Sequence, residues 1–356
     1  MKIALVTDLH FGARNDHQKV AAFQKKFYDE VFFPYIDEHG IKCVFDLGDT
    51  FDRRKFISYT SLKAAKEMFF EPLKQRDIET HIIVGNHDIT YKNTLEVNSI
   101  DLLLDGYENI KEYTNAEVVE KDGCQILFVP WICKDNADET FQTIETTKAQ
   151  ICMGHLELNG FEAHPGHMME RGMDHSVFKK FKKVFTGHYH SKSHKDNVYY
   201  LGNPYQLYWN DFGCKRGFHI FDTETKELTP VHNPLTMFEK GYYDDGKIEN
   251  FEALQEIDYS RFEGKFVKVI VVNKDNPYWF DSFLDKVHAS NPLHVAVVDD
   301  NKHMDFFDDD EIEGVDDTLT ILSKYVDGLE IQGKKEKLDE IMKTLYNEAL
   351  DEHTYL

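Results

Sequence analysis

Gly85-Asn86-His87-Asp88 follows the apolar run Ile82-Ile83-Val84. Such a run reads as a buried strand of a parallel sheet, and ligands of open α/β sheets sit beyond the carboxyl ends of the strands. Asn, His and Asp at that place can hold a metal ion or move a proton; taken alone they also read as a polar turn. Four further apolar runs end the same way. Ile3–Thr7 runs into Asp8 and His10, and Cys43–Leu47 into Gly48-Asp49 and Asp52. Ala149–Met153 runs into Gly154-His155, and Val184–Thr186 into Gly187-His188 and His190. Asp8, His10, Asp49, Asn86, His155, His188 and His190 are therefore the candidate ligands. Carboxylates, imidazoles and one amide oxygen, without thiolate, suit Mn, Fe or Zn and argue against a structural zinc. The set is too large for one ion and fits two divalent ions sharing a bridging carboxylate.

The elements that must position these residues follow a β-α-β-α-β order, which implies right-handed crossovers and a parallel sheet. Strands are expected at 2–7, 41–47 and 80–84. A helix capped by Asp16 runs to about Glu38, and a second covers about 58–74. After a helix near 95–105 the chain turns strand-rich, at 116–120, 124–130, 149–153, 183–186, 197–201 and 216–222. The expected fold is α/β, a two-sheet β-sandwich flanked by helices. Residues 155–180 read as a long loop, a length that usually marks function. Residues 223–262 read as a connector. A strand at 266–272, a helix over 278–289 and a strand over 293–298 make a small βαβ unit. The run 305–313 is acidic, and amphipathic helices are expected near 316–328 and 334–350. The apolar stripe Leu338, Ile341, Leu345 and Leu350 fits a partner or its own domain equally well.

Asp8-Leu9-His10, Gly48-Asp49-Thr50-Phe51-Asp52, Gly85-Asn86-His87-Asp88, Gly154-His155 and Gly187-His188-Tyr189-His190 resemble, in order, the motifs of calcineurin-like metallophosphoesterases. The match spans about residues 1–220. Within that superfamily the chain resembles the SbcD-type DNA-repair nuclease subunit, in the version carried by tailed phages. The resemblance implies a metallophosphoesterase nuclease domain over 1–240 and a connector with a capping domain over 241–304. It places an acidic linker and helices that bind a coiled-coil, SMC-like ATPase over 305–356. It further implies that Asp8, His10 and His190 hold one ion, that Asn86, His155 and His188 hold the other, and that Asp49 bridges. His87 then faces the scissile phosphate and Asp88 orients His87. The resemblance also implies Mn as the metal, DNA as the substrate and a homodimeric subunit. The activity implied is 3′→5′ exonuclease on duplex ends and endonuclease on single strands. A phosphodiesterase or phosphatase with a non-DNA substrate, and a non-catalytic scaffold for the ATPase, are the alternatives.

The net charge of -23 argues against a broad basic nucleic-acid surface, so DNA contacts must be local or metal-assisted. Five scattered cysteines without a CxxC fit reduced thiols in a cytoplasmic protein. No apolar run is long enough to span a membrane, and the chain begins on its first strand without a signal peptide. Asp52 reads either as a group behind the ligands or as a turn cap. Arg53, Arg54 and Lys55 read either as a phosphate-binding loop or as a solvated one. Lys179, Lys180, Lys182 and Lys183 fit a DNA-facing edge or, better, the polar side of a short helix. His164, His167 and His175 read as polar loop groups or substrate contacts, Tyr205, Tyr208 and Trp209 as packing beneath the site or, less readily, a stacking surface for an unpaired base, and Trp131 as core.

Overall fold

The computed structural model describes residues 1–299, together with Lys335, Lys337, Leu338, Ile341 and Met342. The chain divides into two compact units, Met1–Asn301 and Lys302–Leu356. The acidic run and the first C-terminal helix lie outside the described residues. Of the second helix only those five residues are described, and all are helical. No helix among the described residues is long and apolar enough to cross a membrane.

Two six-stranded sheets form the larger part of the first unit. One contains β1 (Lys2–Val6), β2 (Cys43–Asp46), β3 (Glu79–Ile83) and β4 (Ile110–Tyr113), all parallel. The other contains β5 (Glu117–Lys121), β6 (Cys124–Val129) and β7 (Ile151–His155). Along the chain after β7 comes a short hairpin, β8 (Glu162–His164) with β9 (His167–Met168), inside the expected loop. The second sheet continues with β10 (Lys183–Gly187), β11 (Ser193–Lys195) and β12 (Val198–Tyr200). The antiparallel β13 (Gly217–Asp222) and β14 (Leu228–His232) complete the first sheet. The orders are β14-β13-β1-β2-β3-β4 and β11-β12-β10-β7-β6-β5.

Side-chain alternation explains the layers. Ile3, Leu5, Phe45 and Ile83 from one sheet meet Ile126, Phe128, Ile151, Met153 and Phe185 from the other in a shared core. Their alternates Ala4, Val6, Val44 and Ile82 pack outward on Phe27, Phe32, Phe69 and Leu73 of two helices. Leu127, Cys152 and Val184 pack outward on Ile144, Phe178 and Phe181. The strands are apolar on both faces because both faces are covered. The expected sandwich with helices outside is therefore present.

Both helices over the first sheet contain a widened turn. Gln18–Phe27 continues through a π-helical Tyr28–Phe32 into Phe33–Glu38, and Tyr59–Ala65 through Lys66–Phe70 into Glu71–Gln75. Pro34 and Pro72 lie just beyond the widened turns. A proline has no N–H to donate and crowds the carbonyl four residues back, and widening relieves both. Asp16 is not the cap expected of it. His17 caps the first helix, accepting from the Lys19 N–H at 3.2 Å. Asp16 instead accepts from Ser58 Oγ at 2.9 Å and from Ser61 Oγ.

The small unit is a parallel sheet of β15 (Phe238–Asp244), β16 (Phe266–Asn273) and β17 (His294–Asp299), with helix Pro277–Ala289 crossing between the last two. The expected connector thus holds β14 and the first strand of this sheet, and a boundary at residue 240 cuts through β15. Trp209 packs on Phe238 at 4.6 Å and His17 on Phe266 at 5.5 Å between ring centroids, which seats this sheet against the loop after β1.

Candidate metal centre

The carboxyl ends of β1, β2, β3, β7 and β10 converge. Backbone bonds tie the first two loops together: Asp8 N–H to Gly48 C=O at 2.9 Å and His10 N–H to Asp49 C=O at 3.0 Å. Two glycines permit the approach. A Cβ on Gly187 would lie 1.9 Å from Thr7 Oγ1, and one on Gly85 2.3 Å from the Asp49 nitrogen. Asp8 (φ 53°), His10 (φ 46°), Asp49 (φ 55°) and His188 (φ 90°) all adopt left-handed backbone. Each such residue is strained by about 1–2 kcal/mol, and strain of this kind gathers at functional sites.

All the candidate ligands meet in two groups. Ligand atoms of Asp8, His10 and His190 lie within 4.8 Å of one another, and so do those of Asp49, His155 and His188. Asn86 Oδ1 joins the second group, 3.0 Å from His155 Nε2 and 2.8 Å from His188 Nδ1. Asp49 Oδ2 stands 3.2 Å from His155 Nε2 and 4.0 Å from His10 Nε2, between the groups. His10 Nε2 and His190 Nε2 face each other at 3.0 Å, so at most one can donate a proton to the other. The buried His190 Nδ1 has no hydrogen-bond partner. Nitrogens and carboxylates that converge without enough protons between them are what a cation would satisfy, and the donor set fits divalent ions.

Electrostatics agrees. Asp8, Asp46, Asp49, Asp52 and Asp88 are all buried here. Burial lowers the affinity of His10 for a proton, but the bond and charge of Asp52, with Asp49 and Asp8, outweigh it and raise its pKa to about 9. Burial likewise opposes His155, and Asp49 and Asp8 raise it to about 9. Burial and the charge of His155 hold His188 down to about 3. Burial would raise Asp49, but the charges of His155 and His87 keep it well below the usual carboxylate range. The acidic pocket draws positive charge onto whichever imidazoles can take it.

His87 is at the rim. Its N–H donates to Asp49 Oδ1 at 2.7 Å, and its Nδ1 lies 2.5 Å from the Asp52 carbonyl oxygen. Asp52 also faces His10 Nδ1 at 3.3 Å, so it stands behind two histidines at once. Asp88 does not orient His87. Its carboxylate accepts the N–H groups of Gly85 at 2.9 Å, Asp49 at 2.9 Å and Phe51 at 3.2 Å. These donors hold it as the clasp between the β2 and β3 loops.

Other residues separate into neighbours of the site and parts of the frame. Trp131 packs against the edge of the core, as its sequence context predicts, and in addition lies on His188 at 5.0 Å and His155 at 6.1 Å. Its position after Val129-Pro130, at another strand end, was the available signal. Tyr205 is packing: its hydroxyl donates to the Leu9 carbonyl at 2.7 Å. Tyr208 stacks on His190 at 6.1 Å, and His164 packs edge-on to it at 6.3 Å. Arg53 pairs with Asp16 at 3.5 Å and bonds Asn15, whereas the half-buried Arg54 guanidinium makes no hydrogen bond or ion pair among the described residues. The charge of Arg54 nevertheless reaches His188. Lys180 donates to the carbonyls of Ile144, Glu145 and Thr147, and Lys183 pairs with Glu227 at 3.1 Å. Both are occupied within the fold.

Residues 1–192 match the calcineurin-like phosphoesterase family model. Exonuclease subunit 1 of Enterobacteria phage T4 is 34% identical over 353 residues, covering 98% of this chain and 99% of the phage protein. A solved structure described as a novel archaeal phosphodiesterase aligns with 65% of this chain and 100% of its own at 14% identity, with a TM-score of 0.33. A glutamine-dependent NAD+ synthetase from Acinetobacter baumannii aligns with 98% of this chain and 72% of its own at 9% identity, with a TM-score of 0.25. Neither structural likeness carries weight at those scores. The family match over more than half of the chain, and a relative aligned along nearly all of it, place this chain in the calcineurin-like phosphoesterase family, whose members hydrolyse phosphate esters with divalent metal ions.

Proposed function

We propose that this chain is a two-metal DNA nuclease and the nuclease subunit of a complex with a coiled-coil ATPase. The observation that carries the reading is the convergence of Asp8, His10 and His190 with Asn86, His155 and His188 on either side of Asp49. The near full-length relative named as an exonuclease subunit supports a nuclease activity and a further subunit. Mn is the proposed metal.

Asp8, His10 and His190 would hold one ion and Asn86, His155 and His188 the other, with Asp49 shared. When bound, such ions supply positive charge to the phosphate oxygens and make a nearby water acidic enough to attack near neutral pH. The protein's own groups do the rest. The Asp52 carbonyl fixes the His87 Nδ1 proton and so leaves Nε2 for the substrate. A protonated Nε2 can give its proton to the leaving oxygen. Asp52 holds the His10 ring, and Asp88 holds the two loops that carry Asp49 and Asn86. Arg54 stands ready for a phosphate. A guanidinium gives two parallel hydrogen bonds to such a group. Trp131 covers His188 and His155 from one side and keeps water from that wall.

In this reading the two six-stranded sheets and their helices are the nuclease domain, and the three-stranded sheet that begins with β15 caps it. We place the ATPase contact in 305–356 and expect a homodimer that works in the host cytoplasm. The test is degradation of an end-labelled duplex with Mn, Mg or EDTA, beside a chromogenic phosphodiester and a phosphomonoester. Mn-dependent loss of DNA supports the reading, and label leaving from the 3′ end supports the proposed polarity. Ester hydrolysis without DNA cleavage, with or without an added ATPase, overturns it in favour of a non-DNA substrate.

A further inference from the structure

The amino ends of β2 and β3 carry a second group of metal-competent side chains. Cys43 opens β2, Glu79 opens β3, and the two are paired in parallel register. His81 follows Glu79 by two residues and so shares its face of the strand. Ligand atoms of Cys43, Glu79 and His81 lie within 4.8 Å of one another. Cys43 and His81 are buried while Glu79 is exposed, so the group opens to solvent on one side.

The His81 ring is held firmly. It packs on Phe45 at 5.0 Å and Phe128 at 6.1 Å, and stacks on Tyr113 at 5.6 Å. Its Nδ1 lies 2.6 Å from the Tyr113 hydroxyl and its Nε2 2.9 Å from Glu79 Oε1. A tyrosine hydroxyl donates or accepts, so it serves either tautomer of the ring. Burial, helped by the charge of Lys121, lowers His81 to about 4, which leaves the ring neutral at pH 7. Lys121 Nζ stands 2.5 Å from Glu79 Oε1 and supplies the positive charge of the group.

We propose that Cys43, Glu79 and His81 form a second cation site, which takes one thiophilic divalent ion such as Zn²⁺ or Cd²⁺ at the end of the sheet remote from the catalytic centre. Sulfur, nitrogen and oxygen donors together suit this class. Mg²⁺, which demands an octahedron of oxygens, does not fit. Three protein donors leave a further position for water on the Glu79 side. On binding, the Cys43 S–H bond is replaced by a sulfur–metal bond and the proton leaves to solvent. The His81 ring proton sits on Nδ1 and donates to Tyr113, freeing the Nε2 lone pair. Lys121 swings off Glu79, because the ion takes over its charge. The site is independent of the nuclease reading.

The probe is Cd²⁺ alone, titrated into the reduced full chain while the ultraviolet thiolate-to-cadmium charge-transfer band is followed. The catalytic centre offers no sulfur, so the band reports a cysteine ligand. The band is expected in the wild type and in Asp49→Ala, and is expected to vanish in Cys43→Ser. Lys121→Ala, which removes the competing ammonium from a partly exposed position, is expected to bind Cd²⁺ several-fold more tightly. Read in a Lys121→Ala chain whose thermal unfolding matches the wild type, so that the buried thiols stay covered, that gain stands even if Cys43→Ser folds poorly. Absence of the band in the wild type, its persistence in folded Cys43→Ser, or unchanged affinity in Lys121→Ala overturns the proposal.

Discussion

Strands β2 and β3 carry histidine and carboxylate at both ends, and the two ends are built differently. At the carboxyl end, Asp49 has left-handed backbone, and the nitrogens of His155 and His188 crowd one amide oxygen of Asn86. At the amino end, His81 lies in regular strand, with one ring nitrogen on Tyr113, the other on Glu79, and Lys121 beside the carboxylate. Residue type alone does not separate the two. What separates them is backbone strain together with polar atoms that no neighbour satisfies. The first end is assembled for ions and substrate; the second is satisfied as it stands and needs a strong competitor to displace Lys121.

The predictions sharpen that contrast. The largest effect is expected for Asp49→Ala. Losing the carboxylate that stands between the two groups should cut phosphodiester cleavage by about 10³-fold, equivalent to about 4 kcal/mol of lost charge stabilisation. Mn content measured by atomic emission should fall with it, while Cys43→Ser should change neither. His87→Ala comes next. It should cost about 10²-fold or more in kcat, the scale of a lost general acid, with metal content unchanged. If metal content falls as well, His87 belongs among the ligands.

At the amino end the expected effect is on stability. The folded-state pKa of His81, about 4, lies below the unfolded value of about 6.5, so its contribution is complete above pH 6.5 and is lost as pH falls toward 4. Between pH 6.5 and 4.5 this group should lose about 2 kcal/mol. Thermal unfolding with EDTA present should therefore show a smaller drop over that range for His81→Gln than for the wild type. Equal drops would show that His81 is not held neutral by burial.

The smallest effects separate the paired arginines. Arg54→Gln should raise KM for DNA and flatten its dependence on salt by about one ion, with little change in Tm. Arg53→Gln should lower stability by about 1 kcal/mol or less, because its partner Asp16 is partly exposed, and leave the salt dependence alone.

The carboxyl ends of the sheets are legible in the sequence because each strand there finishes in a short, mostly apolar run, followed directly or after one glycine by Asp, His or Asn. Burial on both faces writes that pattern directly into the chain. The role of Asp88 is hidden in the sequence because its partners are backbone N–H groups, those of Asp49 and Phe51 far off along the chain, and N–H groups leave no mark on residue type. Arg53 and Arg54 look alike in sequence; only the position of Asp16 divides them. The widened turns before Pro34 and Pro72 had a local signal, a proline inside an apolar stripe, that helix periodicity masks. β15 reads as connector in the sequence because its polar residues Glu239, Lys240 and Asp244 obscure the buried Phe238 and Tyr243. The Cys43, Glu79 and His81 group could not be seen at all, since only strand register brings β2 beside β3.

The most direct test of the central claim is crystallographic: anomalous scattering from crystals of the full chain soaked in Mn²⁺. Two peaks are predicted, one touched by Asp8, His10 and His190, the other by Asn86, His155 and His188, with Asp49 reaching both. A single peak, or two peaks of which neither meets Asp49, would contradict the account.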